Sequence, residues 1–264
     1  MRLITWNINS VRLRMPLLSK LTDEAKPDIV CLQETKVHDD QFPAKDIEAL
    51  GYENMHFRGM KGYNGVAILS RLPLDATGGE DWCGKQDCRH ASVKVAGGVE
   101  IHNFYVPAGG DVPDPNENEK FAHKLSFLEE MTDWFGKKHT SKDKSIVVGD
   151  LNIAPLESDV WSHKQLLKVV SHTPIEVEKL DAVQQSNDWI DAVRQFIPPA
   201  ETLYSWWSYR ARDWDAADKG RRLDHVWVTP PLKKALKGAS VLREARGWEK
   251  ASDHAPVIVD FDLG

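Results

Sequence analysis

Residues 144–155 read KSIVVGDLNIAP. Ile146, Val147 and Val148 form an unbroken apolar run, the pattern of a strand covered on both faces. The run ends in Gly149-Asp150-Leu151-Asn152. In extended backbone, Asp150 and Asn152 fall on one side. Taken alone, Gly-Asp and Asn are ordinary turn residues. A carboxylate at the end of a buried strand costs free energy unless something pairs with it. The ends of the other strands decide between the two readings.

Strand-like runs recur at residues 3–6, 29–32, 66–69, 99–106, 223–228 and 257–261. In the last, Val257, Val259 and Phe261 alternate with Ile258 and Asp260, as in a half-buried strand. Two helical patterns lie between them. MPLLSKLTDEAK (15–26) puts Leu17, Leu18 and Leu21 on one face and stops before Pro27. NENEKFAHKLSFLEEMTDWFGKKH (116–139) spaces Phe121, Leu125, Leu128, Met131 and Phe135 three or four apart. Strands outnumber helices, and some neighbours are too close for a helical crossover. The pattern predicts an α+β chain with much antiparallel pairing, two packed mixed sheets and helices outside. With no repeat or linker, residues 1–264 read as one domain.

The net charge of -6 argues against a protein that coats nucleic acid non-specifically, but allows an enzyme with a local basic groove. No apolar run is long enough for a transmembrane helix. The opening MRLITWNIN lacks the features of a signal peptide. Three cysteines, Cys31, Cys83 and Cys88, are odd in number and not spaced for zinc. They are expected as reduced thiols in a cytoplasm, with Cys31 in the core and Cys83 and Cys88 unpaired.

Polar residues cluster at the strand ends. Asn7 and Asn9 close the first strand, Glu34 and Lys36 the second, Tyr105 the run at 99–106, and Asp150 and Asn152 the run at 146–148. Other strands place the polar group first: Tyr63 and Asn64, then Asp224, then Asp253 and His254. With antiparallel pairing, the ends of some strands and the starts of others share one rim, where ligands commonly sit. Singly, each has a plainer reading: Glu34 as a solvated strand end, Asn7 as a turn, Tyr105 as a half-buried aromatic. Together they form an oxygen-rich set without clustered Cys or His. Such a set suits magnesium, or manganese in its place, and hydrolysis of a phosphate ester.

The motifs TWNINSVRLR, IVCLQETK, YNGVAILSR, YVPAGG, GDLNIAP, RRLDHVWVT and SDHAPVIVDF occur in this order along nearly the whole chain. In them the sequence resembles the exonuclease III family of apurinic/apyrimidinic (AP) endonucleases, in the DNase I-like endonuclease/exonuclease/phosphatase superfamily. The resemblance implies a four-layer sandwich of two β-sheets with helices outside. It assigns Glu34, helped by Asn7, to Mg2+, with Asp253 reaching the metal or its water. Asp150 resembles the group that activates the attacking water, and Asn152 the one that orients water and phosphate. His254, oriented by Asp224, and Tyr105 resemble the contacts to the scissile phosphate. Asp150, Asn152 and His254 also stand within the candidate metal shell, and Mn2+ is the expected substitute.

The implied partner is double-stranded DNA with abasic sites or with blocked or recessed 3′ ends, met by a monomer in the cytoplasm, associated with the nucleoid. Asn9, Lys36, Tyr63 and Asn64 on the rim, with Trp206, Tyr209, Arg210, Arg221 and Arg222 in YSWWSYRARDWDAADKGRR (204–222), are the expected DNA contacts. Two positions depart from the family pattern. Ala108 stands where Asn or Gln is common after Tyr-x-Pro, and Arg221 puts a cation where an apolar pocket wall is expected. His163 and His172 read as solvated. Abasic-site cleavage, 3′→5′ exonuclease action and 3′-phosphate removal share one mechanism, so their balance stays open. The rival readings are an inositol-phosphate or sphingolipid phosphoesterase, and a DNA-binding protein without catalysis.

Overall fold

The computed structural model describes residues 1–263. The apolar run of the opening stretch is strand β8 (Ser145–Asp150). Ile146 and Val148 face one core and Val147 another, and all three are fully buried. This is the double burial that the missing alternation predicts.

Two six-stranded mixed sheets stack on each other. The first runs β13 (Leu236–Val241), β14 (Val257–Phe261), β1 (Arg2–Asn7), β2 (Ile29–Gln33), β4 (Val66–Ser70), β3 (Asn54–Arg58). The second runs β5 (Leu74–Gly78), β6 (His90–Val95), β7 (Val99–Tyr105), β8, β12 (Asp224–Val228), β9 (Ile190–Asp191). Each sheet contains one parallel pair, β1–β2 and β7–β8. A parallel pair needs a long crossover. Helices α1 (Met15–Ala25) and α3 (Glu119–Lys138) supply it. The remaining helices are α2 (Ala44–Glu48), α4 (His163–Leu166), α5 (Pro174–Gln185) and α6 (Trp214–Ala217).

Three apolar clusters make four layers. Between the sheets pack Leu3, Cys31 and Val259 from one side and Ile101, Ile146 and Val226 from the other. Outside the first sheet, Ile4, Trp6 and Leu32 meet Leu18 and Leu21 of α1. Outside the second, Phe104, Val147 and Trp227 meet Leu128, Met131 and Phe135 of α3 and Leu180 of α5. At about 25 cal/mol per Å2 of apolar surface removed from water, these faces are the main favourable contribution to folding. A polar link crosses the middle: Gln33 Nε2 donates to Asn103 Oδ1 (2.7 Å), and Asn103 Nδ2 to the carbonyls of Leu32 and Ala67. Cys31 is buried and free, as are the half-buried thiols of Cys83 and Cys88. Among the described residues no helix is long and apolar enough to cross a membrane.

A short ribbon, β10 (Trp206–Trp207) with β11 (Gly220–Arg221), stands beside the sandwich, and Trp206 is the register partner of Arg221. It brings the aromatic-arginine segment over the rim where the strand ends meet.

Candidate active site

Strand register assembles the core of the site. Asp150 is paired with Tyr105 of β7 on one side and Asp224 of β12 on the other. Three ionisable side chains therefore end adjacent strands at one level. Gly149 is what allows this. Its φ is +139°, and a Cβ there would lie 1.9 Å from the Phe104 carbonyl oxygen, so no other residue fits. Beyond Asp150 the chain turns through Asn152 at φ 55°. Asn9, Glu34 and Lys36 share this left-handed conformation, which concentrates backbone strain at the rim.

The first sheet contributes the opposite wall. Asn7, fully buried, donates through Nδ2 to Glu34 Oε1 and Asp150 Oδ2, 2.8 Å each, and so ties the sheets together across the site. Tyr105 OH also donates to Glu34 Oε1, at 2.9 Å. Burial, then Glu34 and Asp150, push this phenol well above its ordinary range, so it stays a neutral donor. The Asp150 backbone-proximal contact is Asn152 N to Oδ1 at 3.0 Å, and Asn152 Nδ2 donates to the Val106 carbonyl (2.9 Å).

His254 sits between carboxylates. Its Nδ1 is 2.8 Å from Asp224 Oδ2, and its Nε2 is 3.6 Å from Asp150 Oδ2. Burial opposes its charge, but Asp224 and then Asp150 push its pKa up to about 10. Asp150 itself is pushed up to about 7, by burial first, with His254 acting against the shift and Asp224 adding to it. Ser205 Oγ donates to Asp224 Oδ2 (2.6 Å) and accepts from the Asp224 backbone N–H, fixing the carboxylate that fixes His254.

Hard-cation ligands are present in the same place. Lys36 Nζ lies 2.6 Å from Glu34 Oε2 and 2.7 Å from Asn9 Oδ1, so an ammonium already stands between two oxygen donors. Asp253 is close by, with Oδ1 accepting from Asn9 Nδ2 (3.1 Å) and Oδ2 from Trp206 Nε1 (2.9 Å). Although burial works against it, Asn7 and Lys36 hold the Glu34 carboxyl below its ordinary range. Asp224 Oδ1 is buried with no hydrogen-bond partner. Oxygen donors of this kind fit magnesium or manganese and not a thiophilic metal.

These groups open into a cavity of about 650 Å3 that runs from Glu34, Asp150 and His254 past Trp206 and Arg221 to Trp161 and Lys219. A model of the endonuclease/exonuclease/phosphatase family matches residues 4–254. The chain belongs to that family. Its relatives include the exodeoxyribonuclease of Bacillus subtilis, 31% identical over 272 residues and covering 100% of both chains. Among solved structures, an AP endonuclease from Archaeoglobus fulgidus superposes with a TM-score of 0.92 at 32% identity, over 99% of each chain. The 3′ phosphatase NExo from Neisseria, bound to a product DNA hairpin, gives 0.88 at 30% identity, also over 99% of each. The expected branch, exonuclease III, and the four-layer DNase I-like sandwich both stand, and a family member with these side chains is an enzyme.

The structure brings Asn7, Asn9, Glu34, Lys36, Tyr105, Asp150, Asn152, Asp224, Asp253 and His254 to one rim, as their strand ends predicted. Trp206 and Arg210 line the cavity, and Tyr209 is half exposed with its hydroxyl donated to the Ala251 carbonyl. Tyr63 is largely exposed, whereas Asn64 spends its amide on the Asp87 carbonyl (3.0 Å). Arg222 is a correction. It is 1% exposed and paired with Asp159 and Asp191, so it cannot meet DNA. Neighbouring strand residues face opposite sides, and of this pair Arg221 faces the cavity. His172 is a second correction: it is buried, with Nδ1 donating to the Ala154 carbonyl at 2.6 Å and Nε2 facing His163 Nδ1 at 2.8 Å. Sequence reasoning missed Ser205, Trp161 and Lys219. Trp161 follows a one-residue bridge from Val160 to Arg221 that no local pattern announces.

Proposed function

We propose that this chain is a DNA-repair phosphodiesterase that hydrolyses duplex DNA 5′ to abasic sites and trims or unblocks 3′ ends. The observation that carries the reading is the convergence of His254, Tyr105 and Asp150 on one space large enough for a phosphate. A phosphodiester is anionic and repels hydroxide, so the nucleophile has to be generated in place. Asp150 takes a proton from a water, and Asn152 orients that water and the phosphate. His254, kept cationic by Asp224, and Tyr105 donate to the phosphoryl oxygens as charge builds on them. In-line attack leaves a 3′-hydroxyl and a 5′-phosphate.

Glu34, with Asn7 and Asp253 beside it, would hold Mg2+ or Mn2+. When bound, that ion supplies positive charge to the phosphate and the departing oxygen. Arg210, Trp206 and Tyr209 are the expected contacts to the DNA. Relatives that are an exodeoxyribonuclease, an AP endonuclease and a 3′ phosphatase support this class of substrate.

The test is a labelled duplex with one abasic-site analogue, incubated in magnesium and in EDTA, beside recessed 3′-hydroxyl and 3′-phosphate ends. A nick 5′ to the abasic site, lost in EDTA and about 100-fold or more slower with Asp150→Asn, is expected. Processing of the 3′ ends alone makes the protein an exonuclease and 3′-end cleaner. Binding without any cleavage refutes the enzymatic reading.

A further inference from the structure

One wall of the cavity does nothing in the hydrolysis described above. Arg221 Nη1 donates to the Val170 carbonyl (2.9 Å) and to Ser171 Oγ (2.7 Å). The guanidinium lies 5.3 Å from the centre of the Trp206 ring. Its Nε is buried without a hydrogen-bond partner, and Nη2 makes no hydrogen bond among the described residues. Lys219 lies 4.6 Å over Trp161 on the same wall. The lining carboxylates Glu34, Asp150 and Asp253 belong to the hydrolytic end, and Asp111 is at the exposed mouth. Among the described residues no carboxylate pairs with Arg221, although Glu176 lies near enough to favour its charge against burial.

A fixed, half-satisfied guanidinium is a poor wall for a neutral sugar, because its free N–H groups lose water without gaining a partner. It is a good wall for a planar oxyanion, which the guanidinium fork matches in charge and shape. We infer that Arg221 reads an acidic group on whatever is esterified to the scissile phosphate. DNA 3′ ends whose blocking group carries its own carboxylate are thereby favoured over ends whose blocking group is neutral. This inference rests on the function proposed above. The chemistry is unchanged. Water adds to phosphorus, the P–O3′ bond breaks, the 3′ oxygen takes a proton, and the blocking group leaves as its phosphate monoester.

The probes are two duplexes that differ in one group, a recessed 3′-phosphoglycolate end and its uncharged 3′-phosphoglycolamide counterpart. The wild-type chain is expected to process the acid about tenfold faster than the amide in kcat/KM, the size of a charge-assisted hydrogen bond. Arg221→Gln should bring the ratio close to one whatever its absolute rates. Ser171→Ala, which removes one anchor of the guanidinium, should give an intermediate ratio and serves if the first variant does not fold. Equal rates on the two ends in the wild type, or an unchanged ratio in both variants, overturn the inference while leaving the proposed function intact. A folded wild-type chain that nicks the abasic duplex but cleaves neither end overturns the inference alone, and one that cuts no duplex overturns both.

Discussion

His254 Nδ1 and Asp224 Oδ2 are 2.8 Å apart in a site from which solvent is nearly excluded, with His254 5% and Asp224 1% exposed. A hydrogen bond between an imidazolium and a carboxylate in such surroundings fixes both the ring's orientation and its charge. The charge follows from pairing that outweighs burial, and its pH range follows from the sign of the shift.

The His254 pKa in the folded chain is raised to about 10 from 6.5. The pairing therefore stabilises the fold fully below about pH 6.5, and that contribution is lost as pH rises through about 10. Without added metal, the ring protons of His254 should titrate near pH 10 by NMR, and thermal stability should fall over the same range. Asp224→Asn should return the titration towards the ordinary imidazole range and flatten the fall in Tm. A His254 that titrates near 6.5 in the wild type would refute the charged state used in the mechanism.

Lys36 Nζ is held by Glu34 Oε2 and Asn9 Oδ1, and a divalent cation on Glu34, as proposed above, would contend with it for the carboxylate. Removing the ammonium should tighten metal binding. For Lys36→Met, Mn2+ affinity measured by electron paramagnetic resonance should rise about tenfold, on the scale of a single well-placed charge near the surface. Weaker Mn2+ binding in that variant would mean that Lys36 organises the ligands and does not compete for them.

Behind the cavity, Lys124 and Glu176 form an ion pair of 2.5 Å with both side chains 0% exposed. Lys124 also donates to the Asn152 carbonyl (2.7 Å), and Glu176 accepts from the backbone of Ser171 and Thr173. Removing one partner of such a pair strands the other, at a cost of about 3–5 kcal/mol. Lys124→Met should show a loss of that order in urea denaturation. The double variant Lys124→Met/Glu176→Gln should recover part of it. Losses that simply add would show that the two side chains are not energetically coupled.

The arginines of the segment 204–222 divide by role. Arg210 lines the open cavity, whereas Arg222 is locked to Asp159 and Asp191. Arg210→Ala should lower the salt dependence of duplex binding by about one unit of slope without loss of stability. Arg222→Met should lower stability and leave the slope unchanged. Equal slopes for the wild type and Arg210→Ala would remove Arg210 from the DNA-facing surface.

The two arginines also mark where the sequence stops being legible. The central strands carried dense apolar runs, and their polar ends already named the members of the site. The edge strands β3 (Asn54–Arg58), β5 (Leu74–Gly78) and β13 did not announce themselves, because edge strands bury less and tolerate polar residues, and neither did the interior β6, where His90, Ser92 and Lys94 break the apolar run. Adjacent Arg221 and Arg222 read as one basic cluster until backbone direction sends one to the cavity and one to Asp159. The burial of His172 follows from its contacts with the Ala154 carbonyl and His163. Such outcomes depend on contacts between distant segments, which local composition does not encode.

The order of the strands has a consequence for synthesis. β1 pairs with β14, Leu3 opposite Val259, and Asp253 and His254 immediately precede that strand. On the ribosome β1, already able to pair with β2, must wait for residues 257–261 before its other edge is paired, and for residue 254 before Asn7 has His254 in the same site. A nascent chain shorter than this can bind neither the partner strand nor the full set of groups. The site is therefore complete only once residues 253–261 have emerged.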